Sequence, residues 1–278
     1  MELQQSPPYK RYIERLGWQS ATVDGIHIYI RSFPLFGALA KIQRPETLPG
    51  INRLAVTLRA RRVRLVAVEP CQYQKPAAFS SWVSTLSKHF RISRSRYLPT
   101  KTLLVDLSPS LEDIFSQLSE AKRRAVRRAQ KHMVTVRASG DIDLFIRLKN
   151  QSAGLFGSIT TYGLKALWQE FAPRNAIILL SYSRTNRIVG GVLVIFWRAR
   201  AYYWIAGATR EGKKLFAPTL LAWEALRLSK RRGEACFDFV GVWDERLPKQ
   251  NREWLGFTKF KEGFGGIPVY YPIAMPRK

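Results

Sequence analysis

Metal-binding and disulfide-forming residues are scarce in this sequence. Its two cysteines, Cys71 and Cys236, are far apart, and its three histidines, His27, His89 and His132, are scattered. A zinc site needs clustered cysteine and histidine ligands, and two unpatterned cysteines suit a reducing compartment. We therefore expect no metal site and a cytoplasmic protein.

We expect neither a signal peptide nor a membrane-spanning run from this sequence. The first ten residues, MELQQSPPYK, contain no apolar stretch of the kind that marks a signal peptide. The longest apolar run, residues 188–197, is too short to cross a bilayer. These features predict a soluble chain whose contact with the anionic inner membrane, where it occurs, is peripheral.

Acidic residues are few compared with basic ones. The chain has 46 lysines and arginines against 20 acids, a formal net charge of +26. Such a surface attracts polyanions, namely nucleic acid, anionic lipid headgroups or phosphorylated substrates. The length of 278 residues and a hydrophobic content of 46% allow one large or two medium domains with a real core.

Familiar catalytic and phosphate-binding motifs are absent from the sequence. There is no GxxxxGK[ST] loop, and no Ser/His/Asp or Cys/His constellation is indicated. The stretch IAGATREGKKLFAP carries Gly207 and Gly212 with basic residues, a looser arrangement than the pyrophosphate loop of acyl-CoA-dependent acetyltransferases. It reads equally well as a basic hairpin loop. An enzyme built this way needs a substrate that is already activated.

The pattern of helices and strands predicts an α+β fold. In the second half the order is helix, helix, three strands, helix, strand, which is the order of an acetyltransferase-like domain. We predict a first such domain over residues 1–137, to which residues 267–278 return, and a second over residues 138–266. In FDFVGV, Asp238 is either an acid that orients a loop or an outward-facing strand residue, and we prefer the second reading.

One helix is predicted to run from a cap at Ser110 to about Lys131. Its proposed buried stripe consists of Ile114, Leu118, Ala121, Ala125 and Ala129. Like charges repeat at i,i+4 away from that stripe, which destabilises a helix unless an anionic partner is bound. We predict that the basic residues of this helix contact the phosphates of such a partner, RNA being one. They are Arg123, Arg124, Arg127, Arg128 and Lys131.

The stretch LGFTKFKEGFGG, residues 255–266, places lysines among phenylalanines and glycines. Glycine lets the backbone approach a ligand closely, and lysine supplies a compact charge. We interpret the stretch as a binding loop rather than a core strand.

Several segments resemble, in order, the FemABX family of peptidoglycan bridge-forming, tRNA-dependent aminoacyltransferases. They are LLVDLSPSLEDIFSQLSEAKRRAVRRAQKHMVTV, YYWIAGA, LFAPTLLAWEALRLSKRRGEACFDFVGV and GFTKFKEGFGGIPVYY. The last is the most specific, since it matches a Phe-Lys-x-Gly-Phe-Gly signature. The match covers most of the chain and is weak over residues 45–100.

The resemblance implies two acetyltransferase-like (GNAT) domains without a coiled-coil arm. It implies transfer of an amino acid from aminoacyl-tRNA to the stem-peptide amine of a UDP-MurNAc-peptide or a lipid-linked precursor. No cofactor is implied, and we expect a monomer. Which amino acid is transferred stays open.

The resemblance also assigns roles at the signature. Lys261 supplies a cation for the developing oxyanion or holds terminal tRNA phosphates, and Phe260 stacks on the terminal adenine. Gly263 and Gly265 let the backbone approach the substrate. Asp106 is a candidate for proton handling near the acceptor amine.

Acceptor-binding roles follow from the same resemblance. Lys10 matches a lysine that contacts the acceptor diphosphate, and Tyr203, with Tyr202 as the alternative, matches a tyrosine that contacts the acceptor. Tyr162 matches a phosphate-binding tyrosine, but Ser158 occupies the position of the accompanying arginine. Two other functions stay open: an acyl-CoA-dependent N-acyltransferase of the same fold, and a non-catalytic RNA-binding protein.

Overall fold

A tight hairpin begins the first sheet of the computed structural model, which describes residues 1–154 and 157–273, without the side chains at positions 157 and 158. Asp24 and Gly25 both have positive φ, as a two-residue hairpin turn requires. The strands of this sheet are paired in the order β1-β2-β3-β4-β5, with β3, β4 and β5 parallel. They are β1 (Gln19–Val23), β2 (Ile26–Phe33), β3 (Gly37–Gln43), β4 (Val63–Glu69) and β5 (Arg91–Ile92).

Three helices accompany this sheet along the chain: α1 (Pro7–Arg15), α2 (Ile51–Ala60) and α3 (Pro76–Ser87). The first begins where the Ser6 hydroxyl accepts a hydrogen bond from the Tyr9 amide. Apolar side chains from the sheet and from α2 and α3 form one buried core, which includes Ile28, Ile42 and Leu54.

The second sheet has seven strands. They are β6 (Lys101–Asp106), β7 (Thr135–Ser139), β8 (Ala176–Tyr182), β9 (Ile188–Trp197), β10 (Arg200–Ala208), β11 (Cys236–Asp238) and β12 (Ile267–Tyr270). Their spatial order is β12-β6-β11-β10-β9-β8-β7. The three predicted strands of the second half, β8 to β10, form an antiparallel meander, and β11 pairs with β10 in parallel.

Helices precede and follow the strands of this sheet along the chain. They are α4 (Leu111–Gln117), α5 (Glu120–Lys131), α6 (Ile142–Ala153), α7 (Gly157–Thr161), α8 (Leu164–Phe171), α9 (Arg210–Lys214), α10 (Ala217–Arg231) and α11 (Leu255–Glu262). The central helix is α10, with Pro218 in its first turn and Gly233 at φ +80° just beyond its end. The predicted α+β fold class is confirmed.

The chain divides into two compact units. The first comprises Met1–Lys101 with the described residues from Val269 on, and the second comprises Thr102–Pro268. This division differs from the predicted boundary at 137/138, because residues 102–137 lie in the second unit. The reason is that β6 pairs with β11 and α5 packs against α10.

The predicted single helix from Ser110 to Lys131 is two helices. Leu118 has an extended backbone, and the Ser119 hydroxyl accepts from the Lys122 amide to start α5. The break changes the phase of the helix, so the predicted stripe is wrong at Ala121, which is exposed, while Val126 is buried. Among the described residues, no helix combines the length and apolarity needed to cross a bilayer.

Candidate functional site

The lysine of the C-terminal signature is buried inside the second unit. The prediction of a loop is wrong for residues 255–262, which form α11, and only the glycines that follow make a turn. Thr258 and Lys261 lie three residues apart and therefore on one face of that helix, and both are buried. The helix thus carries the lysine inward, where its exposed fraction is 9%.

The Lys261 ammonium is held by backbone carbonyls. Its Nζ donates to the Gly241 oxygen at 2.6 Å and lies 3.4 Å from the Val240 oxygen. Burial lowers the pKa of Lys261 to about 8, against the opposing effect of the Asp238 charge. An ammonium has three N–H donors, and in the described part of the chain only these two acceptors are within hydrogen-bond reach. The third donor is left for a ligand oxygen.

Asp238 positions the carbonyls that hold Lys261. Its carboxylate, 2% exposed, accepts from the Thr102 hydroxyl at 2.5 Å and from the Val240 amide at 2.8 Å. The Thr102 hydroxyl also accepts from the Gly241 amide at 3.2 Å. Burial raises the pKa of Asp238, and the hydrogen bonds from Thr102 and Val240 oppose that rise. The preferred reading of Asp238 as an outward-facing residue is wrong, because its carboxylate orients the turn after β11.

A second lysine, Lys122, is half-buried and lies beside the residues of the signature. Lys122 Nζ is 3.8 Å from the centre of the Phe260 ring and 5.3 Å from that of Phe264. A Cβ added to Gly263 would come within 2.7 Å of Lys122 Cε, so the glycine leaves room for the lysine stem. Burial lowers the pKa of Lys122 to about 8. Three signature residues, Phe260, Gly263 and Phe264, therefore surround Lys122 rather than Lys261.

Sequence reasoning missed Lys122, although a signal was present. Lys122, Val126 and Ala129 follow the i, i+4, i+7 spacing of one helix face, and both apolar members are buried. The stripe that we phased on Ala121 and Ala125 obscured this row. Phe257 was missed as well: it is 38% exposed, and its ring centre lies 4.8 Å from Lys261 Nζ.

Known proteins resemble this chain in fold, although their sequence identity to it is low. Residues 116–252 match the family model of the acetyltransferase (GNAT) domain. FemX superposes with a TM-score of 0.75 at 13% identity, over 97% of this chain and 90% of that chain. The chain has the FemX fold. The predicted resemblance to the FemABX family is thereby confirmed at the level of the fold.

Two further solved structures share this FemX-like fold. One is the C-terminal domain of a putative lysylphosphatidylglycerol synthetase from Agrobacterium fabrum, with a TM-score of 0.63, 12% identity and coverage of 94% of this chain and 84% of that chain. The other is L-PGS from Bacillus licheniformis, with a TM-score of 0.56, 12% identity and coverage of 95% and 86%. No curated protein sequence matches the chain. Together these findings support an acyltransferase of GNAT fold.

Gly207, in β10, and Gly212, in α9, are both needed for close packing. A Cβ at Gly212 would lie 2.0 Å from the Val189 carbonyl oxygen, and one at Gly207 would lie 2.6 Å from the Ser152 hydroxyl. The Gly212 amide donates to the Thr209 hydroxyl at 3.0 Å. This geometry explains both glycines without a pyrophosphate ligand.

The two candidate tyrosines of β10 lie on opposite faces of the sheet. Tyr203 is buried in the core against Phe237 and Phe239, with ring centres 6.0 and 5.5 Å away. This placement differs from the predicted contact with the acceptor, because strand alternation turns Tyr203 toward the helices that cover the core. The alternative, Tyr202, is in register with Asp238 on β11 and so shares its face.

Asp106 lies away from the Lys261 site. It is exposed at the far end of β6, four residues beyond Thr102, or about 13 Å along the strand. The Ser108 amide and hydroxyl donate to its carboxylate at 2.8 and 2.7 Å and lower its pKa. Asp106 therefore stabilises the turn before α4, and the structure does not bring it to Lys261.

The remaining predicted acceptor-binding residues each lie within their own unit. Lys10 lies in the first unit, where its Nζ donates to the Glu14 carboxylate at 2.8 Å. Tyr162 is 66% exposed just after α7, and the side chain of Ser158 lies outside the described residues. Gly265 has φ +78° in the turn after α11, a conformation that favours glycine.

Four of the five predicted RNA-contacting residues project to solvent. Arg124, Arg127, Arg128 and Lys131 are exposed on α5, with Arg124 paired to Glu120 at 3.2 Å. Arg123 differs, since its guanidinium donates to the carbonyls of Ser116, at 2.7 Å, and Leu118. It ties the end of α4 to α5, which explains its partial burial.

Proposed function

We propose that this protein transfers an aminoacyl group from aminoacyl-tRNA to the side-chain amine of a peptidoglycan precursor. The observation that carries the proposal is the buried Lys261 ammonium, whose third N–H donor has no acceptor among the described residues. The FemX-like fold and the net charge of +26 add support. The two substrates are aminoacyl-tRNA as the donor and a UDP-MurNAc-peptide or a lipid-linked precursor as the acceptor.

The chemistry asks little of protein acids and bases. The neutral acceptor amine attacks the ester carbonyl, a C–N bond forms, and the bond to the ribose oxygen breaks. The amine loses a proton, and the ribose oxygen leaves as a hydroxyl. Negative charge develops on the carbonyl oxygen in between, and the fixed Lys261 cation stabilises it without reorganisation. Holding both substrates together supplies much of the remaining acceleration.

Lys122 and Phe257 extend this site. Lys122 offers a second cation for a phosphate of the RNA terminus, and the exposed ring of Phe257 offers a stacking surface next to Lys261. Phe260 is half-buried between Lys122 and Phe264, so one face of its ring is already covered. Adenine stacking therefore suits Phe257 better than Phe260.

The acyl-CoA-dependent alternative has less support. Such enzymes present free backbone amides to a pyrophosphate at a helix start. Here the Gly212 amide is bonded to Thr209, and its backbone lies against β9. Saturable binding of coenzyme A in calorimetry would nevertheless favour that function.

Transfer of radiolabelled amino acid from a pool of charged tRNAs tests the proposal. We expect a labelled product with a UDP-MurNAc-peptide or its lipid-linked form, and loss of most turnover in Lys261→Ala. Lys259→Ala is the matched control, because Lys259 is exposed on the same helix. The absence of a labelled product with any charged tRNA would overturn the proposed function. A labelled phospholipid in place of a labelled muropeptide would show that the acceptor is a lipid and not a peptidoglycan precursor.

The pH dependence of turnover tests the role of Lys261 separately. Turnover should fall as the pH rises through about 8, because the ammonium then loses its charge. Lys261→Arg keeps a permanent charge and should show a smaller decline, the remainder coming from Lys122, whose pKa is also lowered to about 8. If Lys261→Arg and the unsubstituted protein decline alike, Lys261 does not provide the cation.

A further inference from the structure

An apolar tip stands exposed on the first unit, at the turn between β2 and β3. Phe33, Leu35 and Phe36 have exposed fractions of 42%, 94% and 78%. The turn contains Pro34 and no polar side chain, so these side chains form one continuous apolar projection. Single exposed apolar residues are ordinary, but a cluster of this kind marks an interaction site.

The backbone of the turn shows that Leu35 is an unusual choice. The Phe36 amide donates to the Phe33 carbonyl at 3.3 Å, and Leu35 has φ +71°. With Pro34 before it, Leu35 occupies the position where such a turn favours glycine or asparagine. A branched side chain there is strained, and it makes almost no contact within its own unit that offsets the strain.

Arginines surround the base of this tip. The Arg62 carbonyl accepts from the Ala38 amide at 3.0 Å, and the Arg64 stem passes so close that a Cβ at Gly37 would lie 2.9 Å from it. Arg61, Arg62 and Arg64 are all exposed. In the part of the chain that the structure describes, no acid pairs with Arg62 or Arg64.

We propose that this tip inserts into the surface of an anionic lipid bilayer. Leucine and phenylalanine side chains partition into the boundary between headgroups and acyl chains, while neighbouring arginines bind anionic headgroups. The most exposed member, Leu35, has no ring to stack on a base, which favours lipid over RNA as the partner. This inference does not depend on the acyl-transfer function.

Co-sedimentation with vesicles tests the partner. The full chain should bind phosphatidylcholine vesicles containing phosphatidylglycerol, and bind pure phosphatidylcholine vesicles much more weakly. The double variant Leu35→Ser/Phe36→Ser should lose about tenfold or more in affinity. Tyr73→Ser is the control, since Tyr73 is 71% exposed elsewhere in the same unit.

An environment-sensitive fluorophore distinguishes insertion of the tip from purely electrostatic adsorption to the vesicle surface. The label on a Leu35→Cys variant should brighten with anionic vesicles, whereas the label on a Tyr73→Cys variant should not. Cys71 is buried and Cys236 is partly buried, so the exposed new thiol reacts preferentially. Equal responses at both positions would overturn insertion.

Two further measurements concern the arginines at the base of the tip and RNA as the alternative partner. Arg62→Gln/Arg64→Gln should weaken binding to anionic vesicles and reduce its dependence on salt. The proposal fails if Leu35→Ser/Phe36→Ser binds anionic vesicles like the unsubstituted protein, or if the unsubstituted protein does not bind them. Loss of RNA affinity with unchanged vesicle binding would make this tip an RNA contact and would also overturn the proposal.

Discussion

The amine of Lys122 lies 3.8 Å from the centre of the Phe260 ring, and the Lys122 stem passes over Gly263. The pair joins the start of α5 to the end of α11 within one unit. The Ser119 amide strengthens the same junction by donating to the Gly263 carbonyl at 2.9 Å. The C-terminal signature is therefore a packing arrangement for a lysine that lies 138 residues earlier than Phe260 (260 − 122).

Gly263→Ala tests this arrangement. The new methyl group would meet Lys122 Cε and Cγ at 2.7 and 2.9 Å and displace the side chain from Phe260. We expect turnover to fall about tenfold or more with a stability loss of about 1–3 kcal/mol, typical of overpacking. Urea unfolding and the transfer assay measure the two effects.

A double-mutant cycle of Gly263→Ala with Lys122→Ala measures the coupling between these two residues in turnover. The effect of Gly263→Ala on turnover should be much smaller in the Lys122→Ala background, because the displaced group is then missing. Gly256→Ala is the control, since a Cβ there meets nothing within 4 Å. Additive effects of Gly263→Ala and Lys122→Ala would contradict the arrangement.

Buried Lys261 predicts a stability that increases with pH. In the folded chain its pKa is about 8, against 10.5 for an unperturbed lysine. Between these values the unfolded chain binds more protons than the folded one, so the free energy of unfolding rises with pH. The gain for this one group is on the order of 3 kcal/mol across that window.

The comparison with Lys261→Met isolates this contribution. The difference in free energy of unfolding, unsubstituted protein minus variant, should increase between pH 8 and pH 10 in urea titrations. Lys122 titrates in the same range and cancels in the difference. A difference that stays constant over this range would show that Lys261 is not desolvated.

Thr102 is predicted to be required for the turn that holds Lys261. Its hydroxyl donates to Asp238 and accepts from the Gly241 amide, so Thr102→Val leaves the buried Gly241 amide without this acceptor and leaves Asp238 with the Val240 amide as its remaining hydrogen-bond donor in the turn. We expect a stability loss of about 1–3 kcal/mol. Thr102→Ser keeps the hydroxyl and should restore most of the stability, whereas equal losses in both variants would point to packing instead.

The arginines of α5 are predicted to act unequally on RNA. Arg127→Gln and Arg128→Gln remove exposed charges, and each should lower the slope of log affinity against log salt by about 0.7–0.9. Arg123→Gln should chiefly lower stability, because its guanidinium already donates to two carbonyls. Filter binding over a salt series measures the slopes. An equal slope change for Arg123→Gln would contradict its structural role.

Local sequence signals were reliable where neighbouring residues decide the outcome. The Ser110 cap depends on contacts within three residues and was predicted correctly. The Asp24–Gly25 hairpin is equally local, since Asp-Gly is a residue pair that favours a two-residue turn. The order of elements in the second half and the C-terminal signature were enough to indicate the FemX-like fold. The cap and the hairpin rest on local backbone preferences, whereas the signature indicated the fold through its resemblance to a known family.

The tertiary structure alone decided which polar groups are buried and what they contact. Lys261 meets the carbonyls of Val240 and Gly241, and Asp238 meets Thr102, only after β6 and β11 pair across more than a hundred residues. The phase of α5 depended on Leu118, which is extended rather than helical. Desolvation, and the pKa shifts it causes, is a property of the packed core, so charge and composition predicted a polyanionic partner but did not locate its site.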